Sequence, residues 1–227
     1  MNASLDTNTI IHFYRAGCQN ILFEYFDSIY LCDQVYLIEL NNHGQDILSN
    51  VNLDIQAGNL ELFSQEKMAS KGILQLFKEH TKDQEILYNL GDKGEAHAIA
   101  LAKTLGACCL VTDDTKIGGP YKSLLQFEDE VMPFTFAEVI ILYYIFGTID
   151  ASQAISYFNK INTTSTMNWD FESQLKKFLR RFGIGKKNEY KDENAKWFDE
   201  ELNKQQVNLK NKLQDLQQFL KINNQKP

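Results

Sequence analysis

The segment that most constrains the fold is the unbroken run from Ala107 to Thr112, set between Gly106 and the pair Asp113-Asp114. A strand that is apolar on successive residues must be covered on both faces, which points to the centre of a parallel sheet. Directly before it, Lys93 to Leu105 carries Ala96, Ile99, Ala100 and Ala102 at close-packing spacing and stops at Gly106, the mark of a helix packed on that sheet. Upstream the same alternation repeats in short pieces. Ala3–Leu5, Ile29–Cys32 and Leu60–Phe63 read as strands, and Val131–Phe136 adds a last one. Helical patterns occupy Thr7–Ala16, Ile21–Phe26, Gln34–Asn50 (weakened at Gly44), Lys71–His80 and Asp83–Leu90. Strands alternating with helices imply an α/β domain with a parallel sheet and helices on both faces. Right-handed crossovers then bring the C-terminal strand ends to one edge, where open parallel sheets do their chemistry.

Acidic residues fall where that edge should be. Asp6 follows the first strand, Asp113 and Asp114 follow the central one, Glu95 opens the helix leading into it, and Glu39 lies in the helical segment after the second strand. Each has an ordinary explanation. Asp6 can cap a helix, Asp92 and Glu95 fit a capping box, Asp113 and Asp114 can make a turn, and Glu39 can sit on a solvated face. Together they say more. Two carboxylates ~4 Å apart repel by about 4 kcal/mol at an effective dielectric of ~20, so a converging set calls for a cation. Hard oxygen donors select Mg²⁺ or Mn²⁺. If those ends meet on one rim, Asp6, Glu39, Glu95 and Asp113 make an oxygen-rich cage for such an ion.

The segments Ser4-Leu5-Asp6-Thr7-Asn8, Ile38-Glu39-Leu40, Gly91-x-x-Gly94-Glu95-Ala96-x-Ala98-Ile99-Ala100 and Val111-Thr112-Asp113-Asp114 resemble the motif series of PIN-domain nucleases, which include the VapC-like toxins. The resemblance covers roughly Met1 to Phe136. It implies a three-layer α/β/α sandwich, cleavage of RNA assisted by Mg²⁺ or Mn²⁺, and an antitoxin protein as partner. Asp6, Glu39, Glu95 and Asp113 match the family's acidic positions, Asn8 and Thr112 match polar positions beside them, and Asp114 follows as a supporting or substitute ligand. On that resemblance Asp6 and Asp113 are expected to hold the principal metal directly and Glu95 directly or through water, while Glu39 holds a second, weaker metal or orients the attacking water. Ile117-Gly118-Gly119-Pro120 stands where the family has a basic, alanine-rich helix start. Neither His12 nor His97 is expected to act catalytically.

The character changes near Gly147, which sets expected boundaries at 1–147 for the nuclease-like domain and 148–227 for a helical extension. In the extension, Gln153–Ile161, Phe171–Phe182 and Asn194–Ile222 read as helices. The net charge of −7 argues against indiscriminate binding to nucleic acid. Yet Ser173 to Lys187 holds Lys176, Lys177, Arg180, Arg181, Lys186 and Lys187 and no acid. Leu175, Phe178, Leu179 and Phe182 form an apolar stripe opposite, so this helix is expected either to show its basic side to RNA phosphates or to be merely solvated. The last helix carries Leu202, Leu209, Leu213, Leu216 and Leu220, with Trp197 and Phe198 ahead of them. It can dock on its own domain, pair protomers into a homo-oligomer or meet a partner helix, and self-docking is the expectation.

With 44% hydrophobic residues the chain has enough for a core. No apolar stretch spans ~30 Å of bilayer and no basic leader precedes the first strand, so a cytoplasmic protein without membrane contact is expected. Cys108 and Cys109 read as small buried hydrophobes. Three functions compete: a metal-dependent endoribonuclease of toxin or defence type, an inactive nucleic-acid-binding or scaffold protein on the same fold, and a partner-binding module acting through its helical tail.

Overall fold

Five short runs form β1 (Asn2–Leu5), β2 (Ser28–Cys32), β3 (Glu61–Phe63), β4 (Cys109–Val111) and β5 (Met132–Phe134). All pairings are parallel, in the order β3-β2-β1-β4-β5. The structure, a computed structural model, describes residues 1–87, 93–126, 130–182 and 192–223. The chain divides into two compact units, Met1–Phe136 and Ala137–Pro227. The division falls ahead of the change in composition at Gly147.

Strand order explains the first unit's architecture. The chain steps from β1 to β2 to β3 in one direction, then returns past β1 to β4 and β5. With right-handed crossovers, the two directions put their helices on opposite faces, giving an α/β/α sandwich. Running along the chain are α1 (Thr7–Arg15), α2 (Asn20–Tyr25), a π-helical turn (Gln34–Glu39), α3 (Leu40–His43), α4 (Leu48–Ala57), α5 (Gln65–Ser70), α6 (Leu74–Leu87), α7 (Lys93–Leu105) and α8 (Pro120–Gln126). Helix α7 packs across β1, β2 and β4, as its small residues permit. Leu5, Ile10, Phe13, Leu31, Ile99, Leu110 and Phe134 are fully buried in this core.

Several sequence-based boundaries shift for local reasons. The helix expected over Gln34–Asn50 breaks at Gly44, and its first part is wound as a π-turn. The two helices expected over Lys71–His80 and Asp83–Leu90 are one continuous helix, α6, which starts after Gly72 turns the chain at φ 72°, and α5 ahead of it is an additional helix capped by Ser64, which accepts from the Lys67 N–H. Tyr88, Asn89 and Leu90 of the second expected helix lie outside the described residues. The glycine-proline segment does start a helix, since Pro120 takes its first position, where no N–H is needed.

The second unit contains most of α9 (Phe136–Ile145), then α10 (Ala151–Ser165), α11 (Phe171–Arg181), α12 (Asp192–Lys204) and α13 (Leu209–Asn223). The long tail helix expected from Asn194 to Ile222 is two helices, with Gln206 at φ 55° in the break between them. The tail docks within this unit: Tyr144 Oη donates to Lys212 O at 2.7 Å, and Leu216 is fully buried. Phe178, Phe182 and Phe198 pack ring against ring with centroids 4.6–5.4 Å apart. No helix among the described residues is long and apolar enough to cross a membrane.

Arg181 is corrected by this packing. It was expected on the RNA-facing side of α11, but it is 1% exposed and its Nη1 donates to Glu138 Oε2 at 3.0 Å. Nε and Nη2 both donate to Asn194 Oδ1. The guanidinium neutralises an acid stranded in the apolar helix α9, so it is spent inside the unit. Removing one partner of such a pair leaves a buried charge. Arg181→Ala should destabilise the protein by about 3–5 kcal/mol in urea unfolding. Lys177→Ala, at an exposed site, should stay within about 0.5 kcal/mol. Equal, small effects would refute the structural role of Arg181.

Candidate active site

The reversal of strand order lies between β1 and β4, and that is where two of the acids emerge. Leu5 pairs with Val111, and the Asp6 N–H donates to Val111 O at 3.0 Å, so Asp6 and the Thr112-Asp113 pair leave the sheet side by side. Asp6 has the extended backbone of an N-cap residue, yet its side chain makes no cap hydrogen bond to α1. The capping explanation for Asp6 therefore does not account for its carboxylate. That carboxylate instead accepts from Thr112 Oγ1 at 3.3 Å and is 1% exposed.

Burial pushes the Asp6 carboxyl up to about 7, and the negative charges of Glu39 and Asp113 push in the same direction. The Thr7 N–H and the Thr112 hydroxyl oppose this without cancelling it. Three of the expected acids thus share one electrostatic neighbourhood at the switch point. Glu95 lies in the first turn of α7 and is also buried.

Glu39 and Asp113 are held by protein groups. Thr7 Oγ1 donates to Glu39 Oε2, and Gln34 Nε2 donates to Glu39 Oε1 at 3.4 Å. A Cβ at Gly94 would overlap both oxygens of Glu39, so the carboxylate rests on the bare backbone of α7. The π-turn delivers Glu39 to this position, an irregularity often found at functional sites. Asp113 Oδ1 accepts from the Phe136 N–H at 2.8 Å, and His12 Nδ1–H donates to Asp113 Oδ2 at 2.7 Å. Thr7, Gln34 and His12 were not singled out from sequence for these contacts. A histidine at the sixth position of α1, about one and a half turns beyond the Asp6 cap, was the available signal.

The remaining expected residues divide. Thr112 is buried and accepts from the Asp114 N–H at 3.2 Å while donating to Asp6. Asn8 is exposed on the first turn of α1. Asp114 turns into its own loop, where Lys116 Nζ lies 2.6 Å from Oδ2 and the Lys116 N–H donates to Oδ1. Lys176, Lys177 and Arg180 are exposed or partly exposed on α11, and Lys176 pairs with Glu172 at 2.8 Å. Lys186 and Lys187 lie outside the described residues. Cys108 is exposed, contrary to expectation, whereas Cys18, Cys32 and Cys109 are buried, and none of the four is in a disulfide.

The ready-made cage expected from Asp6, Glu95, Asp113 and Asp114 is not assembled. Among the described residues no three His, Cys, Asp or Glu side chains stand close enough to hold one metal ion. The donor set still fits a hard divalent cation: carboxylate oxygens, one of them buried among neighbours of its own sign, whose repulsion a cation would relieve.

A family model described as a PIN domain matches residues 4–117. Searches against curated proteins and against solved structures returned no match.

Two outcomes follow from this geometry. The folded Asp6 carboxyl holds its proton between about pH 4 and 7, a window in which the unfolded chain, near ~3.9, gives it up. Its contribution is therefore most favourable below about pH 4 and is lost as pH rises through about 7. Asp6→Asn should raise metal-free stability at about pH 8 by about 1–4 kcal/mol and change it little at about pH 4. A variant less stable than the wild type at the higher pH would contradict the crowding. Gly94→Ala should displace the Glu39 carboxylate and so lower the Asp6 pKa in an NMR titration, with little change in stability, since only a side-chain end moves and alanine favours the helix.

Proposed function

The chain belongs to the PIN-domain family, and on that premise we propose that it is a Mg²⁺- or Mn²⁺-dependent endoribonuclease serving as the toxin of a toxin–antitoxin or defence pair in the cytoplasm. Its fold is of nuclease type. The observation that carries the finer reading is the buried Asp6 carboxyl between Glu39 and Asp113 at the strand-order reversal.

Asp6 and Asp113 would hold the principal ion, with Glu95 completing its surroundings from α7, while Glu39 orients the attacking water or holds a second ion. A bound Mg²⁺ or Mn²⁺ supplies polarisation of a phosphoryl oxygen and a water acidic enough to attack at neutral pH. The chain's own residues do the rest. Thr112 fixes the Asp6 rotamer through its hydroxyl. His12 and the Phe136 N–H hold both oxygens of Asp113. Thr7 and Gln34 aim Glu39, and Gly94 lets it approach α7. Lys176, Lys177 and Arg180 offer phosphate contacts on the second unit. Asp114, paired with Lys116, is assigned a supporting role only. An antitoxin would act by covering the acidic edge.

A second reading, an RNA-binding protein without turnover, draws on the His12–Asp113 contact, which occupies a carboxylate oxygen that a cation would need.

Cleavage of end-labelled RNA with Mn²⁺ or Mg²⁺ decides between them. We expect cutting that stops with a chelator. Asp113→Asn should lose more than ~100-fold in rate, and His12→Ala the ~10–100-fold typical of a group that orients a ligand. Binding of the same RNA without any metal-dependent cutting would establish the second reading instead. Full activity in Asp113→Asn would remove the assignment of Asp113.

A further inference from the structure

Helices α5, α6 and α7 enclose a cleft of about 150 Å³ that the mechanism above leaves unused. Its floor is apolar, made by Leu74 and Phe77, with the His97 imidazole set edge-on to Phe77 at 5.8 Å between centroids. Lys78 and Lys82 stand one turn apart on its rim, both exposed and neither paired with an acid among the described residues. Glu85 Oε1 lies 3.6 Å from His97 Nε2 and offers a hydrogen-bond acceptor, while Gln65 offers an amide.

We propose that this cleft takes one nucleobase of a single-stranded RNA, with Lys78 and Lys82 on the adjoining phosphates, and that it is where the protein reads sequence. The proposal rests on the endoribonuclease reading and gives it a specificity site. Three features recommend this occupant. An apolar floor with an imidazole face suits a planar ring, and stacking on such surfaces is the usual way single strands are held. Two cations beside it suit the backbone, and a carboxylate with an amide suits the exocyclic groups of a base. The cleft also adjoins the acids. Gly94, whose backbone carries the Glu39 carboxylate, and His97 lie three residues apart on one face of α7. A strand with its reacting phosphate beside Glu39 needs only one helical turn to reach the cleft.

The test separates binding from turnover. Four labelled single-stranded RNA oligonucleotides, one for each base, are titrated by fluorescence anisotropy in the presence of chelator. The unsubstituted protein should prefer one base. Lys78→Ala with Lys82→Ala, at exposed sites, should weaken all four about tenfold and reduce the salt slope by roughly 0.7 per lysine lost. Leu74→Trp, which fills the floor, should bring the four affinities together. Unchanged affinity, slope and base preference in both variants would overturn the proposal. In parallel, the unsubstituted protein is incubated with a random-sequence RNA and Mn²⁺. Failure to cut would count against the nuclease reading alone, because the anisotropy series still decides the cleft. If it cuts, Leu74→Trp should cut the same RNA with a flattened sequence profile, whereas an identical profile would again overturn the proposal.

Discussion

Burial of one carboxylate beside two others, at one edge of the sheet, is the constraint on which the candidate site depends. Asp6 is removed from water and faces the charges of Glu39 and Asp113, and both effects hold its proton affinity far above that of a free aspartate. Such an arrangement opposes folding at neutral pH and has no structural purpose in a sandwich whose core is otherwise apolar. Strain of this kind persists where it serves function. A cation converts the same crowding from a cost into an affinity.

The fold supplies the crowding through topology. Because the strand order reverses between β1 and β4, adjacent strand ends deliver Asp6 and Asp113 without any loop having to reach across. The supporting contacts keep that position while preventing collapse. His12 and a backbone N–H hold Asp113, two side chains hold Glu39, and the missing side chain at Gly94 sets how near α7 approaches. In the second unit the same electrostatic problem has a different solution: Glu138 sits in an apolar helix and is neutralised inside the protein by Arg181. One acid is matched by a fixed cation, and the other cluster is left to find one.

Sequence revealed the parts whose signals are local or periodic. The run ending at Val111, the small-residue face of α7 and the acids at strand ends each follow from composition and spacing, so the parallel sheet and the shared edge of its C-terminal strand ends were legible, whereas the strand order was not. What depends on contacts between distant residues was not. Nothing near Gln34 announces that a π-turn will swing Glu39 onto Gly94, and nothing near His12 announces Asp113 as its partner. Arg181 shows the limit most clearly. It sits in a basic run, and the charge pattern alone places it with Arg180, but only the packing of α11 on α9 reveals an acid waiting at Glu138. Similarly, the leucines of the tail kept helical spacing across a break that holds Gln206 in a left-handed conformation.

The central claim is that these carboxylates close around a shared divalent ion. Its most direct test is the anomalous difference map of a crystal soaked in Mn²⁺. The account predicts a single strong peak in contact with oxygens of both Asp6 and Asp113, with the His12 contact to Asp113 lengthened or rearranged. A map without a peak there at saturating Mn²⁺, with Asp6 and Asp113 still facing each other unchanged, would contradict it.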